Sequence, residues 1–141
     1  MTVKQISVFL ENKSGRLAEV LGSLGEKNIK INALTIADTS EYGILRFIVN
    51  DYQHAVEVLK TRGFTANTTE VIVVSTPGQA GSFAKVLKSL SDENISVEYM
   101  YAFKLGANAA IILRPDNIDN ALQVLGKHKF TLLSSDDLAN L

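Results

Sequence analysis

The sequence contains no cysteine, which excludes disulfide bonds, thiolate nucleophiles and cysteine-ligated metal sites. It also lacks an excess of basic residues. Lys and Arg total 14 against 15 Asp and Glu, and the formal net charge is -1. Because a nucleic-acid-binding surface must neutralise phosphates, this balance argues against a nucleic-acid partner.

Long apolar runs are missing as well. No segment of the sequence approaches the roughly 20 apolar residues that a membrane-spanning helix needs. The apolar stretch at the start of the sequence is too short for a secretory signal and ends at the charged Glu11. We therefore expect a cytoplasmic protein without a membrane partner.

Candidate catalytic groups are scarce. His54 and His128 have no evident nucleophile or orienting carboxylate. No spacing of His, Asp and Glu resembles a metal site. Asp136 and Asp137 are adjacent carboxylates, which we interpret as solubilising charges near the end of the sequence. We expect no enzyme activity, no metal and no cofactor.

What the sequence does contain is an internal repeat with a period of 66 residues. A fixed period indicates one structural unit made twice. We place the units at residues 1–69 and 70–141. A unit of this size is marginally stable alone, so we expect the two to pack together and the chain to form a homodimer. The step runs without a gap from Gly15 to Gly81, from Asn28-Ile29 to Asn94-Ile95 and from Phe64-Thr65 to Phe130-Thr131.

The hydrophobic pattern of each unit predicts the order β-α-β-β-α-β. In the first unit, residues 6–10 alternate as in a strand and residues 17–24 carry an apolar helical stripe. A change of parity in the second strand predicts a bulge near Asn32 and Ala33. The order is ferredoxin-like. We therefore predict an α+β fold of two units, each an antiparallel sheet with helices on one face.

Three further expectations concern individual positions. In the second unit, Asp116 is predicted to cap the second helix, and residues 130–134 are predicted to form the last strand. Phe47, in the third strand, loosely matches the aromatic positions on which RNA-binding modules stack bases. The copy of that strand has no aromatic residue, so we interpret Phe47 as a core residue.

Gly15 and Gly81 lie where the first strand of each unit turns into the first helix. Glycine lets a ligand or another backbone segment approach closely. The helix start that follows offers unpaired N–H groups and the positive end of the helix dipole, which suit a carboxylate. A tight turn alone would also explain both glycines, and the repeat does not separate these interpretations.

The residues around these turns resemble the ACT domain family. The resemblance rests on residues 11–21 and 28–34, and on residues 76–83 and 94–100, so it covers nearly the whole chain twice. It implies that a free amino acid binds where the turn of one copy faces the start of the second strand of another. The implied effector-binding residues are Asn12, Ser14, Gly15, Arg16, Leu17, Asn32, Ala33 and Leu34 in the first unit, and Gln79, Ala80, Gly81, Ser82, Phe83, Tyr99, Met100 and Tyr101 in the second.

The resemblance also implies roles for these residues. The ligand carboxylate would meet helix-start N–H groups or Arg16, and the ammonium would meet strand carbonyls or the amides of Asn12 and Asn32. Tyr99 and Tyr101 would suit an aromatic or imidazole side chain, although packing explains at least one of them as well.

The sequence departs from the family pattern at three positions. Ser14 and Ala80 stand where many family members have proline, and Gly78 stands at the position of Asn12. The two sites are therefore expected to differ in affinity or in occupancy.

The function implied is a non-catalytic sensor of a free amino acid that regulates a partner enzyme or transcriptional regulator allosterically. An alternative hypothesis is an obligate regulatory subunit of an amino-acid biosynthetic enzyme, such as acetolactate synthase, with weak ligand binding on its own. A remote third hypothesis is a small enzyme with acylphosphatase-like chemistry. For that chemistry, Arg16 and Asn32 are the only loose candidates for the phosphate-binding Arg and Asn.

Overall fold

The structure, a computed structural model, describes residues 1–11, 13–39 and 41–141, with only the backbone of Asp38. The chain forms two compact units. The N-terminal unit comprises Lys4–Thr69 and Leu138–Leu141, and the C-terminal unit comprises Glu70–Asp137 and Met1–Val3. Each unit thus includes a short segment from the far end of the chain.

The N-terminal unit has the predicted order β-α-β-β-α-β. Its elements are β1 (Val3–Glu11), α1 (Arg16–Glu26), β2 (Ile31–Asp38), β3 (Tyr42–Val49), α2 (Tyr52–Thr61) and the first part of β4 (Thr65–Pro77). The strands lie in the order β2-β3-β1-β4. β3 pairs antiparallel with both β1 and β2, which leaves β2 at the edge of this sheet.

The C-terminal unit repeats this order. After the second part of β4 come α3 (Ser82–Ser91), β5 (Val97–Leu105), β6 (Asn108–Pro115), α4 (Ile118–Lys127) and β7 (Thr131–Leu132). The strand order is β5-β6-β4-β7, and the pairs are antiparallel. The predicted fold class is therefore confirmed in both units.

Each unit buries its own core between its helices and one face of its sheet. In the N-terminal unit, the inward residues of β1 and β3 pack with the apolar stripes of α1 and α2, and Phe47 is fully buried. The interpretation of Phe47 as a core residue is thus confirmed. The C-terminal core has the same design, built from Ile72, Val74, Val86, Leu90, Ile111, Leu113 and Leu125.

The repeat also appears in the backbone conformation. Gly15 and Gly81 have φ values of 88° and 87°, and Asn28 and Asn94 have values of 57° and 58°. These left-handed conformations are costly for most residues and favour Gly and Asn. The predicted bulge is confirmed as a register shift between Ile31 and Ala33, and the C-terminal unit has its counterpart between Val97 and Tyr99.

The prediction that Asp116 caps α4 is wrong, because the helix begins one residue later than expected. The cap is Asn117, whose side chain accepts a hydrogen bond of 3.0 Å from the backbone N–H of Asn120. Asp116 instead accepts a hydrogen bond from the backbone N–H of Ser96, at 3.3 Å. Asp116 therefore ties the start of α4 to the residue before β5.

The predicted last strand is too long. Only Thr131–Leu132 pair with β4, and a short helix follows, α5 (Ser135–Ala139). The backbone N–H of Ser134 donates to the carboxylate of Asp137 at 2.8 Å, and the N–H of Asp137 donates to the Ser134 hydroxyl at 3.1 Å. This reciprocal pair is a capping box. Asp137 therefore has a structural role beyond solubility.

We predict that α5 loosens in acid. The N–H of Ser134, followed by its hydroxyl, holds the pKa of Asp137 below its ordinary value of 3.8. Because the folded pKa lies below the unfolded one, this stabilisation is present above about pH 4 and is lost as the pH falls through the folded value. A carbon-detected NMR titration should give a folded pKa under 3.8, and Ser134→Ala should raise it. An Asp137 pKa that is not below 3.8 in the unmodified protein would contradict the capping box.

Candidate functional site

Both predicted turns place a glycine at the start of a helix. Gly15 precedes α1 and Gly81 precedes α3, each in the left-handed conformation. A glycine brings no capping side chain, so neither N-cap residue can satisfy the first N–H groups of its helix. The two turns therefore present the same polar surface, which attracts anions.

An exposed apolar residue stands beside each of these helix starts. Leu17 is the second residue of α1 and Phe83 the second residue of α3, and their side chains are 36% and 40% exposed. They are equivalent under the 66-residue repeat. The first N–H of each helix, that of Arg16 or Ser82, donates to a backbone oxygen of the turn, that of Lys13 or Gln79. Each unit thus combines a helix start that no side chain caps with an exposed apolar residue.

The Arg16 side chain contacts two residues of its own unit, Phe64 and Glu19. Its guanidinium carbon lies 4.7 Å from the centroid of the Phe64 ring, and Nη1 lies 2.9 Å from the Glu19 carboxylate. Phe64 is buried and Arg16 is half-buried. A ligand carboxylate at this position would have to compete with Glu19. The helix-start N–H groups are therefore better candidates than Arg16 for binding it.

An ion pair flanks the turn in the N-terminal unit. Lys13 Nζ lies 2.8 Å from the Glu11 carboxylate, and both side chains are exposed. The hydrogen bond from Lys13, and then its positive charge, hold the pKa of Glu11 below its ordinary value. Because the charges of Lys13 and Glu11 balance, this ion pair adds no net positive charge beside the turn that could attract a ligand carboxylate.

The strand register separates the two predicted halves of the N-terminal site. Glu11, just before the turn, pairs with Tyr42, whereas Leu34 pairs with Phe47. Five residues along β3 separate these two levels, which corresponds to about 17 Å at 3.3 to 3.4 Å per residue. A small ligand cannot touch both halves of one unit.

The C-terminal unit repeats this separation. Pro77 pairs with Asn108, whereas Tyr101 pairs with Ile112. The step from residue 108 to residue 112 is about 13 Å, and the other predicted strand residues, 99 and 100, lie farther along β5. The structure therefore does not bring the predicted turn and strand residues together within either unit.

What lies next to each turn is the far end of the second strand. In the C-terminal unit, a groove of about 540 Å³ includes Gly78 and Phe83 on one side, residues 102–104 of β5, and the β5–β6 hairpin. In the N-terminal unit, a smaller groove of about 180 Å³ includes Leu17, Ile36 and Gly43. Phe83, Ala102 and Ala109 of the larger groove are their equivalents under the repeat.

Sequence reasoning missed the strand-end and hairpin residues of these grooves. One signal is Gly78, which stands at the position of Asn12 in the repeat. A Cβ atom at Gly78 would lie 2.5 Å from the backbone oxygen of Ala107, and the Gly78 N–H donates to that oxygen at 3.1 Å. Glycine is required here because the turn packs directly on the hairpin.

The remaining predicted residues occupy varied positions. Asn12 lies outside the described residues. Asn32 is half-buried at the bulge, and its side-chain nitrogen donates to the backbone oxygen of Leu138 at 3.2 Å. Leu34 is 46% exposed. The exposed members are Ser14, Gln79 and Ala80, Ser82 is buried, and the half-buried members are Ala33, Tyr99, Met100 and Tyr101.

Candidate metal ligands are not clustered in the described part of the chain. Residues 1–11, 13–39 and 41–141 hold no group of three His, Asp or Glu that could bind a metal ion. His54 and His128 are both exposed. None of the described helices is both long enough and apolar enough to cross a membrane.

The family of the chain follows from comparison with known proteins. The family model for the ACT domain pair matches residues 1–141. This chain is an ACT domain pair. ACT domains are regulatory rather than catalytic. A search of curated proteins found no match.

Solved structures agree with this assignment. Protein BT0572 from Bacteroides thetaiotaomicron is 45% identical, with a TM-score of 0.96 over 100% of this chain and 98% of that one. The ligand-free regulatory subunit of aspartate kinase from Thermus thermophilus is 18% identical, with a TM-score of 0.66 over 88% and 91% of the two chains. The corresponding subunit from Thermus flavus is also 18% identical, with a TM-score of 0.61 over 88% and 90%. The two distant structures share the fold.

We predict opposite effects for two glycine substitutions in the first ACT unit. Gly15→Ala should destabilise the protein by roughly 1 to 2 kcal/mol, because alanine is strained at a φ of 88°. Gly22→Ala should stabilise it by roughly 0.5 to 1 kcal/mol, because Gly22 lies within α1 with open space around its Cβ position. Urea unfolding measures both. Equal changes in the free energy of unfolding for the two variants would show that the turn tolerates a residue other than glycine.

Proposed function

We propose that this ACT pair is a non-catalytic sensor that binds a free amino acid and regulates a partner protein allosterically. The observation that carries the proposal is the repeated combination of a left-handed glycine, a helix start and an exposed apolar residue. Gly15 with Leu17, and Gly81 with Phe83, supply it in the two units. Helix-start N–H groups suit the ligand carboxylate, and the apolar residue suits its side chain.

A complete site in this proposal needs two ACT units. The turn of one unit would bind the carboxylate, and the start of the second strand of another unit would bind the ammonium. The register supports this division, because a single unit holds the levels of Glu11 and Leu34 about 17 Å apart along its strands. A ligand that bridges two units stabilises the arrangement that it bridges, to the extent of its differential affinity. A partner enzyme or transcriptional regulator would respond to that arrangement.

The binding test is a thermal-shift screen against the twenty protein amino acids at millimolar concentration. An effector at 100 times its dissociation constant should add about 2.7 kcal/mol of stability, a rise of several degrees in Tm. Leu17→Ser and Phe83→Ser should each weaken binding at their own site by about ten- to a hundredfold, since a buried Leu or Phe side chain contributes about 1.5 to 3 kcal/mol.

Phe9→Ser is the matched control for this screen. Phe9 is also an exposed apolar residue, 56% accessible, but it lies on β1 outside the predicted site, so its loss should leave affinity unchanged. A flat response to all twenty amino acids would contradict the sensor proposal. It would favour the alternative of an obligate regulatory subunit, which co-purification of a biosynthetic enzyme with this chain would support.

We also propose that the chain is a homodimer. β2 is the edge strand of the N-terminal unit and exposes Leu34 and Ile36, which are 46% and 43% accessible. An edge strand with exposed apolar side chains favours pairing with another chain.

Light scattering at micromolar concentration should therefore give twice the chain mass of 15.3 kDa. Ile36→Glu should reduce the measured mass by burying a charge at the edge. Gln53→Glu, at an exposed position of α2, adds the same charge away from that edge and should leave the dimer intact. A monomeric mass for the unmodified protein would contradict the proposal.

A further inference from the structure

A distant segment of the chain covers the start of β2 in the N-terminal unit. The side-chain nitrogen of Asn32 donates to the backbone oxygen of Leu138 at 3.2 Å, and Lys30 Nζ donates to the backbone oxygen of Leu141 at 3.1 Å. The Leu138 side chain is only 1% exposed. Leu138–Leu141 belong to this unit, although 68 residues of the other repeat separate them from Thr69.

The covered asparagine has one unused acceptor. Its side-chain oxygen, Asn32 Oδ1, is buried and has no hydrogen-bond partner among the residues that the structure describes. A buried acceptor that has lost water without gaining a donor is destabilising. An ammonium group is a strong donor to an amide oxygen. The polar atom expected to bind a ligand ammonium is thus left unsatisfied in the same side chain that contacts Leu138.

We propose that Leu138–Leu141 acts as an internal competitor at the amino-acid site, so that a ligand reaches Asn32 only when this segment moves aside. The proposal rests on the proposed function and adds a regulatory step to it. The segment offers a backbone oxygen to the Asn32 amide nitrogen, and the amide oxygen of the same side chain is buried. An incoming ammonium would instead satisfy Asn32 Oδ1, so ligand and segment use the same side chain.

The segment is attached in a way that permits displacement. The helix that leads into it, α5, has five residues, fewer than an isolated helix needs for stability. Its start is held by the capping box of Ser134 and Asp137, and its end by the buried Leu138. The apparent dissociation constant of the site equals the intrinsic constant divided by the fraction of molecules in which the segment is open.

The second ACT unit differs at the matching position. Glu98 stands 66 residues after Asn32, at the equivalent bulge of β5. A carboxylate has no N–H to donate to a backbone oxygen, so it cannot make the contact that Asn32 makes with Leu138. It can pair with an ammonium directly. The competitor therefore acts on one of the two predicted sites only.

The test compares two Leu→Ala variants of the full chain. Leu138→Ala removes the side chain that anchors the segment, whereas Leu59→Ala removes a fully buried leucine of the same unit from α2. The probe is a mixture of the twenty protein amino acids, and the readout is the dilution that gives half-maximal thermal stabilisation. We expect Leu138→Ala to bind about tenfold more tightly at the N-terminal site, and Leu59→Ala to bind like the unmodified protein.

Two further measurements keep the test decisive. Ser134→Ala loosens α5 by removing its cap hydroxyl and should shift affinity in the same direction as Leu138→Ala, even if Leu138→Ala folds poorly. Hydrogen exchange of the amides of residues 138–141 should speed up when the unmodified protein is saturated with the mixture. Slower or unchanged exchange on saturation, or equal affinity in Ser134→Ala, would overturn the competitor role while leaving the sensor proposal intact.

A different result would reject both proposals. If no variant and no unmodified sample is stabilised by the mixture, the sensor function fails, and the competitor role fails with it. The same experiment thus separates two outcomes. In one, the amino acids bind with an affinity that does not depend on the segment; in the other, they do not bind at all.

Discussion

The antiparallel register of the third strand in each unit is the constraint on which the site depends. In the N-terminal unit it sets Glu11 beside Tyr42 and Leu34 beside Phe47. The turn therefore lies level with the β2–β3 hairpin, about 17 Å along the strands from Leu34. Burial of Phe47 and Leu45 fixes this register, since a one-residue slip would turn both toward the opposite face. A ligand that contacts both the turn and Leu34 must therefore bridge two units.

Most of the fold could be predicted from the sequence because its signals are local. Alternation in β1, the apolar stripe of α1 and the parity change at Asn32 each involve neighbouring residues. The errors arose where local signals were ambiguous. Asp116 and Asn117 are both good caps by residue type, but in the structure it is Asn117 that accepts the hydrogen bond from the N–H of Asn120. The apolar residues after α4 resembled a longer strand, but the capping box at Ser134 starts α5 instead.

The candidate site was less accessible to sequence reasoning. The left-handed turns and the exposed Leu17 and Phe83 fit the residue types at those positions. The contact between Asn32 and Leu138 joins residues 106 positions apart, so it produces no periodic pattern in the sequence from which it could be predicted. The close approach of Gly78 to Ala107 likewise depends on tertiary packing. Such contacts decide which polar groups a ligand can reach.

The most direct test of a site shared between ACT units is an amide NMR titration with an amino acid that raises Tm. The account predicts that amides of a turn, at residues 15–17 or 81–83, shift together with those of a strand start, at residues 32–34 or 99–101, and that both saturate with one dissociation constant. The larger groove lies between the turn of the C-terminal unit and residues 102–109. Amide shifts confined to that turn and to residues 102–109 would contradict the account. They would place the ligand within a single unit.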